Sequence, residues 1–175
     1  MAITLTKYGY AETSGIKATL AGHIRSVVHP ELALENGMHV VMGDISKNKE
    51  VYEVALPTEK DKIWLVHSAL YPYETYTTLM QHEMYLRKEC GDPARCYEIV
   101  VDDRYVMADW CITPIAEKVE KGNLVVVNPE NGFLKEVDAE TDIAGYGFVA
   151  VIEDVVYQSN LTKVEIAVKK NETVA

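Results

Sequence analysis

Two stretches of this chain carry the same instruction. Leu34-Glu35-Asn36-Gly37-Met38-His39-Val40-Val41-Met42 and Val119-Glu120-Lys121-Gly122-Asn123-Leu124-Val125-Val126-Val127 each lead from a polar turn, through a glycine that accepts positive φ, straight into an apolar run. After each comes a polar turn, a short β-rich piece (Val51 to Leu56; Phe133 to Val137), an acidic loop and a further strand (Ile63 to His67; Phe148 to Ile152). Chain punctuated this often has no room for long helices and reads as short antiparallel strands. Gly37 and Gly122 lie 85 positions apart. That offset suggests two related halves, although shared turn chemistry alone would produce it equally well.

The remaining segments fit the same pattern. Gly91-Asp92-Pro93 makes a sharp turn, after which Tyr97, Ile99 and Val101 share one face of a strand. Tyr105 and Met107 resume beyond Asp102-Asp103-Arg104, predicting a hairpin with an acidic tip. Ile16, Ala18 and Leu20 alternate as a first strand, with Gly22 a bulge or bend and Ile24 to Val28 its continuation until His29-Pro30. Val164, Ile166 and Val168 alternate with Lys163, Glu165 and Lys169 as a strand with one dry face. Between Tyr71-Pro72-Tyr73 and Gly91 two readings stand. Tyr76, Met80 and Met84 with the Glu83/Arg87 pair fit a helix within Thr75 to Lys88, whereas Thr77-Thr78 and the tyrosines suit an extended ribbon. The expectation is an all-β, antiparallel barrel or sandwich with at most one or two short helices. Its parts are an extended arm over 1–15, one β-rich domain over 16–170 with halves 16–73 and 91–170 joined by 74–90, and a tail over 171–175.

Charge narrows the partners. Seventeen Lys and Arg stand against 27 Asp and Glu, a formal charge of −10 that repels phosphate backbones and anionic membranes, so neither nucleic acid nor a membrane is expected as a partner. Met1 to Gly15 carries no apolar block, and Phe148 to Ile152, the longest apolar run, is too short to span a bilayer. No export or insertion signal is visible. Three cysteines, Cys90, Cys96 and Cys111, are an odd number that points to reduced thiols. They lack the spacing and the fourth ligand that zinc requires.

Chemistry-bearing clusters have plain structural explanations. Asp102-Asp103 reads as a pair of turn formers rather than a metal-binding carboxylate pair. His67 and His82 with Cys90 or Cys111 would supply a base and a thiol, but no nucleophile motif surrounds them. Glu136, Asp138, Glu140 and Asp142 alternate like calcium ligands without the fixed glycine and closing glutamate of a calcium loop, and read as a solvated face. No catalytic residue, metal or cofactor is expected. Eleven tyrosines against two phenylalanines suit sheet exteriors and protein interfaces. The arm, with too little apolar surface to fold alone, is expected to be mobile until a neighbour orders it, with Tyr8 and Tyr10 as anchors. Tyr8, Tyr10, Tyr71 and Tyr73 are the interface candidates.

Tyr85-Leu86, the run from Gly91 through Asp92-Pro93-Ala94-Arg95-Cys96 to Tyr97, and Asp103-Arg104-Tyr105-Val106-Met107 together resemble a pattern in tailed-bacteriophage capsid decoration, or cement, proteins from phages of Gram-positive bacteria. The strand beginning at Glu120-Lys121-Gly122 and the closing Phe148 to Val168 segment are similar too. The resemblance covers about the second half and the Gly37 turn; Cys90, Cys96 and the acidic loop have no counterpart in it. It implies a structural virion protein without an active site. Such a protein is made in the host cytoplasm, acts as a homo-oligomer, and binds the major capsid protein on the outer surface of the assembled shell. The alternatives are another head–tail or tail-tube structural protein, which would need a long inserting hairpin, and a small β-barrel enzyme.

Overall fold

Both glycine-led turns open equivalent strands. A computed structural model of the protein describes residues 6–47, 50–69, 83–85, 87–138, 141–158 and 161–174. Gly37 (φ 90°) precedes β3 (His39–Ile45), and Gly122 (φ 92°) precedes β9 (Leu124–Val127). Strand β3 lies between β4 (Tyr52–Ala55) and β5 (Trp64–Val66), antiparallel to both. In the same way β9 lies between β10 (Leu134–Val137) and β11 (Phe148–Gln158), again antiparallel to both.

The likeness continues around each sheet. Strand β2 (Ile24–Val28) runs parallel to β4 and antiparallel to β6 (Ala94–Glu98), which pairs with β5 and closes a five-stranded barrel. In the second half β12 (Leu161–Asn171) pairs with β11 on one side and β7 (Arg104–Ala108) on the other, while β8 (Ile112–Thr113) runs parallel to β10. Only the 3-10 turn Asp109–Cys111 separates β7 from β8. One bent stretch of chain therefore carries both the β7–β12 and the β8–β10 ladders of the seven-stranded sheet. Strand β6 completes the five-stranded barrel, and β7 to β12 belong to the seven-stranded sheet.

The predicted hairpin between Tyr97 and Met107 is not formed. β6 and β7 belong to different sheets, and Val100 to Asp103 is the crossover between them. Asp102 takes φ 71°, and Asp103, fully buried, accepts the backbone N–H of Val100 at 2.8 Å on Oδ2 and that of Lys17 at 3.0 Å on Oδ1. Its carboxylate thus holds the start of a short helix, α1 (Lys17–Ala21), where a strand was expected. Gly22 is not a bulge but the left-handed residue ending that helix, and Leu20 is left 94% exposed. Of the 75–88 segment, Glu83–Tyr85 is a 3-10 turn and Lys88 bridges Leu34; the rest of the choice between helix and ribbon lies outside the described residues.

Segments near both ends of the described chain dock on the rest of the fold. Ala11–Glu12 forms β1 on the edge of β7, Ala11 is fully buried, and the Tyr10 ring packs on the larger core cluster. These contacts supply the apolar burial that the arm was expected to lack. At the other end, Asn171 closes β12, and the Glu172 and Val174 amides donate to the carbonyls of Gly147 and Lys60.

One core cluster, including Val27, Val40, Val54 and Cys96, fills the barrel. A larger one packs on the seven-stranded sheet and spreads over Ile63, Leu65, Tyr97 and Ile99 beside the barrel. Adjacent residues of β5 serve different clusters: Leu65 belongs to the shared core and Val66 to the barrel. Each is worth about 1.5–3 kcal/mol of apolar burial, so the seam between barrel and sheet is core and not a hinge.

Candidate interaction surface

Polar groups at the seam are matched partner by partner. His39, on β3, is fully buried; its backbone N–H donates to Gly132 O at 2.6 Å and its Nδ1 lies 3.1 Å from the same carbonyl. A carbonyl only accepts, so Nδ1 carries the proton and Nε2 is left to accept the Tyr105 hydroxyl at 2.9 Å. The ring also sits 5.6 Å from that of Phe148, centroid to centroid. Burial pulls the imidazole down to about 4, partly offset by the Gly132 hydrogen bond. Burial likewise pushes the Tyr105 phenol well up. Gly132 must lack a side chain: at φ 73° a Cβ would stand 2.8 Å from the His39 carbonyl.

The groups singled out for chemistry are occupied in the same structural way. Cys96 and Cys111 are buried, and burial raises both thiols, Cys111 to about 12, far from nucleophilic thiolate; Cys90 is exposed. Within the acidic run Glu136 is not solvated: its carboxylate accepts the Ile115 and Glu120 N–H groups at 3.0 Å and the Asn123 side-chain amide at 3.3 Å, fixing the loop between β8 and β9. No group of three or more His, Cys, Asp or Glu side chains suited to a metal exists among the described residues. His82 lies outside them, as do Tyr71 and Tyr73.

Tyr8 and Tyr10, both half-buried, contact their own domain. The Tyr8 N–H donates to Met84 O, its carbonyl accepts the Trp110 indole N–H at 3.0 Å, and the Arg87 guanidinium lies 4.9 Å from its ring centroid. The Tyr10 hydroxyl donates to Glu12 Oε1, which also takes the Lys163 ammonium. Burial works against ionisation of Glu12, but the hydrogen bonds from Lys163 and Tyr10 hold it below the usual carboxylate range.

Of the exposed large apolar groups, Ile115, Val156 and Tyr157 share another surface, whereas Leu20, Ile45, Val101 and Ile143 lie outside it. The ladder from β9 reaches β11 at Ala150 and Val151, and the ladder from β7 leaves β12 at Lys163. Beyond those points the β11–β12 hairpin overhangs the sheet, with Tyr157 70% and Val156 45% exposed. Val155, Tyr157 and Thr162 face a groove of about 350 Å³, whose opposite wall is Asp109, Trp110, Pro114 and Glu117 with Lys118 beside them. Ile115, half exposed, is in the same loop. The sequence reading ended the penultimate strand at Ile152 and missed this site. The β-branched pair Val155-Val156 followed by Tyr157 was the signal for a longer strand.

Compared with family models, curated proteins and solved structures, the chain has no match in any of the three. What this surface does rests on its own geometry.

Proposed function

We propose that the protein is a non-enzymatic structural component of a tailed-phage virion, binding the outer surface of the assembled capsid as a homo-oligomer and stabilising it. One observation carries the reading: much of the chain's polar chemistry ties its own segments together, while Val156 and Tyr157 of one overhanging hairpin and Ile115 of the loop beside it are exposed next to a groove lined by Trp110. Buried thiols driven away from thiolate and a histidine with both nitrogens engaged are poor catalysts, whereas an aromatic-lined groove is a good protein contact. Binding that exists only on the assembled shell stabilises that shell by mass action. A charge of −10 favours the outside, away from packaged DNA.

Purified protein added to undecorated, expanded shells should bind saturably and raise their resistance to heat, and it should ignore free capsid subunits and naked DNA. Equal binding to DNA, or no binding to shells, would overturn the proposal. A second reading in the same class has support of its own. The hairpin of two eleven-residue strands, Phe148–Gln158 and Leu161–Asn171, is the kind of projection by which a tail-tube or head–tail protein inserts into its neighbour. Ring-shaped assemblies of the isolated protein would favour that reading.

A further inference from the structure

The overhang leaves two kinds of valence unused. The first is backbone: among the described residues, no strand pairs with Val155 to Tyr157 on the side away from β12. Opposite Thr162 and Val164, Tyr157 and Val155 lie in a hairpin edge whose outward N–H and C=O groups present a template for one more strand. The Glu136 carboxylate fixes the loop beside that edge through Ile115 and Glu120, so the groove between them is built in advance.

The second is charge. Glu117 and Asp109 both line the groove, and neither takes part in an ion pair among the described residues; Asp109 accepts only the N–H of Trp110 through Oδ1. Two carboxylates therefore line the groove together with the ammonium of Lys118, in a chain already at −10. Trp110 lines it too, and its ring already takes a cation within this molecule, the Lys7 ammonium lying 4.4 Å from its centroid. Acidic groups beside an aromatic wall and an open strand edge specify the chemistry of an occupant.

We propose that this groove docks an extended, arginine- or lysine-bearing segment of a partner protein. The segment adds a strand to the free edge of β11 and places its cation beside Trp110, Asp109 and Glu117. This deepens the shell-binding reading by naming the contact surface, and it rests on that reading only for the identity of the partner.

The test needs no shell. The probe is the acetylated, amidated pentapeptide Arg-Val-Arg-Val-Arg, with its citrulline and glutamate counterparts as controls, titrated into ¹⁵N-labelled full-length protein. Saturable shifts are expected at the Trp110 indole and the Val155 and Tyr157 amides, with the Trp64 indole unmoved. Binding should weaken at least fivefold with the citrulline peptide and in the double variant Asp109→Asn/Glu117→Gln. Tyr157→Ser, at an exposed position, should weaken it too, and the unperturbed remainder of its spectrum would show that the variant is folded. Equal binding of the glutamate peptide, shifts confined to another face, or no shift at millimolar peptide would overturn the proposal. So would peptide-independent dimerisation through the hairpin, which would assign the groove to a second copy of this chain. Peptide binding without any attachment to shells would leave this surface standing and sink the capsid reading alone.

Discussion

His39 Nε2 and the Tyr105 hydroxyl meet at 2.9 Å in full burial, joining β3 of the barrel to β7 of the seven-stranded sheet. The contact makes stability depend on pH with a definite sign. An unfolded imidazole takes up its proton near 6.5, whereas His39 in the fold resists until about 4. Between those values the unfolded chain binds more protons, so this contribution is intact above 6.5 and is lost as pH falls toward 4. Urea titrations should show about 2 kcal/mol less stability at pH 5 than at pH 7 from this group. His39→Gln should remove most of that slope, and an unchanged slope would mean that the ring is not sequestered. Tyr105→Phe should cost about 1–3 kcal/mol at pH 7 by leaving Nε2 without a donor.

Asn171 is a second clasp. Its Oδ1 accepts the Ile63 N–H at 2.8 Å, while its Nδ2 donates to the carbonyls of Ile63 at 2.9 Å and Ile99 at 2.8 Å. Asn171→Ala would orphan three part-buried backbone groups flanking β5 and β6 from a position at the end of β12. A loss of about 2–3 kcal/mol is expected, with faster hydrogen exchange at the Ile63 amide. A change below the error of the titration would show that water replaces the amide without cost.

Removing residues 1–12 should destabilise the isolated protein, since β1, the Tyr10 ring and the Glu12–Lys163 pair go together. The expected loss is on the order of 3 kcal/mol, from one packed aromatic and a few hydrogen bonds. An unchanged melting temperature would restore the free arm that the sequence suggested.

Thiol chemistry gives a direct check on burial. Of the three cysteines, Cys90 alone should react promptly with a thiol reagent under native conditions, and all three after denaturation. Cys90→Ser should abolish the fast phase. A second fast thiol would contradict the packing of Cys96 or Cys111.

Local pattern made part of this fold legible. Val164, Ile166 and Val168 alternate and are all buried, and the glycines at 37 and 122 take positive φ ahead of equivalent strands. Alternation assigns faces, not partners, and this is why the stretch from Tyr97 to Met107 read as one hairpin although its strands pair in opposite directions along the chain, β6 with the earlier Trp64 to Val66 and β7 with the later Lys163 to Ala167. Three alternating residues at Ile16 to Leu20 cannot distinguish a strand from one helical turn, and the group that decides it, Asp103, is distant in sequence. The groove was hidden for the same reason: Trp110 and Tyr157 meet only because β12 lies between β7 and β11. The length of β11 alone was readable, in Val155 to Tyr157.

The central claim is a place, so locating the chain tests it most directly. On the proposed reading, cryo-electron microscopy of tailed-phage virions assembled with this chain should show its density on the outer capsid surface, where several capsid subunits meet, with the β11–β12 hairpin turned toward the shell. Density inside the shell, in the tail, or nowhere in the virion would contradict the account.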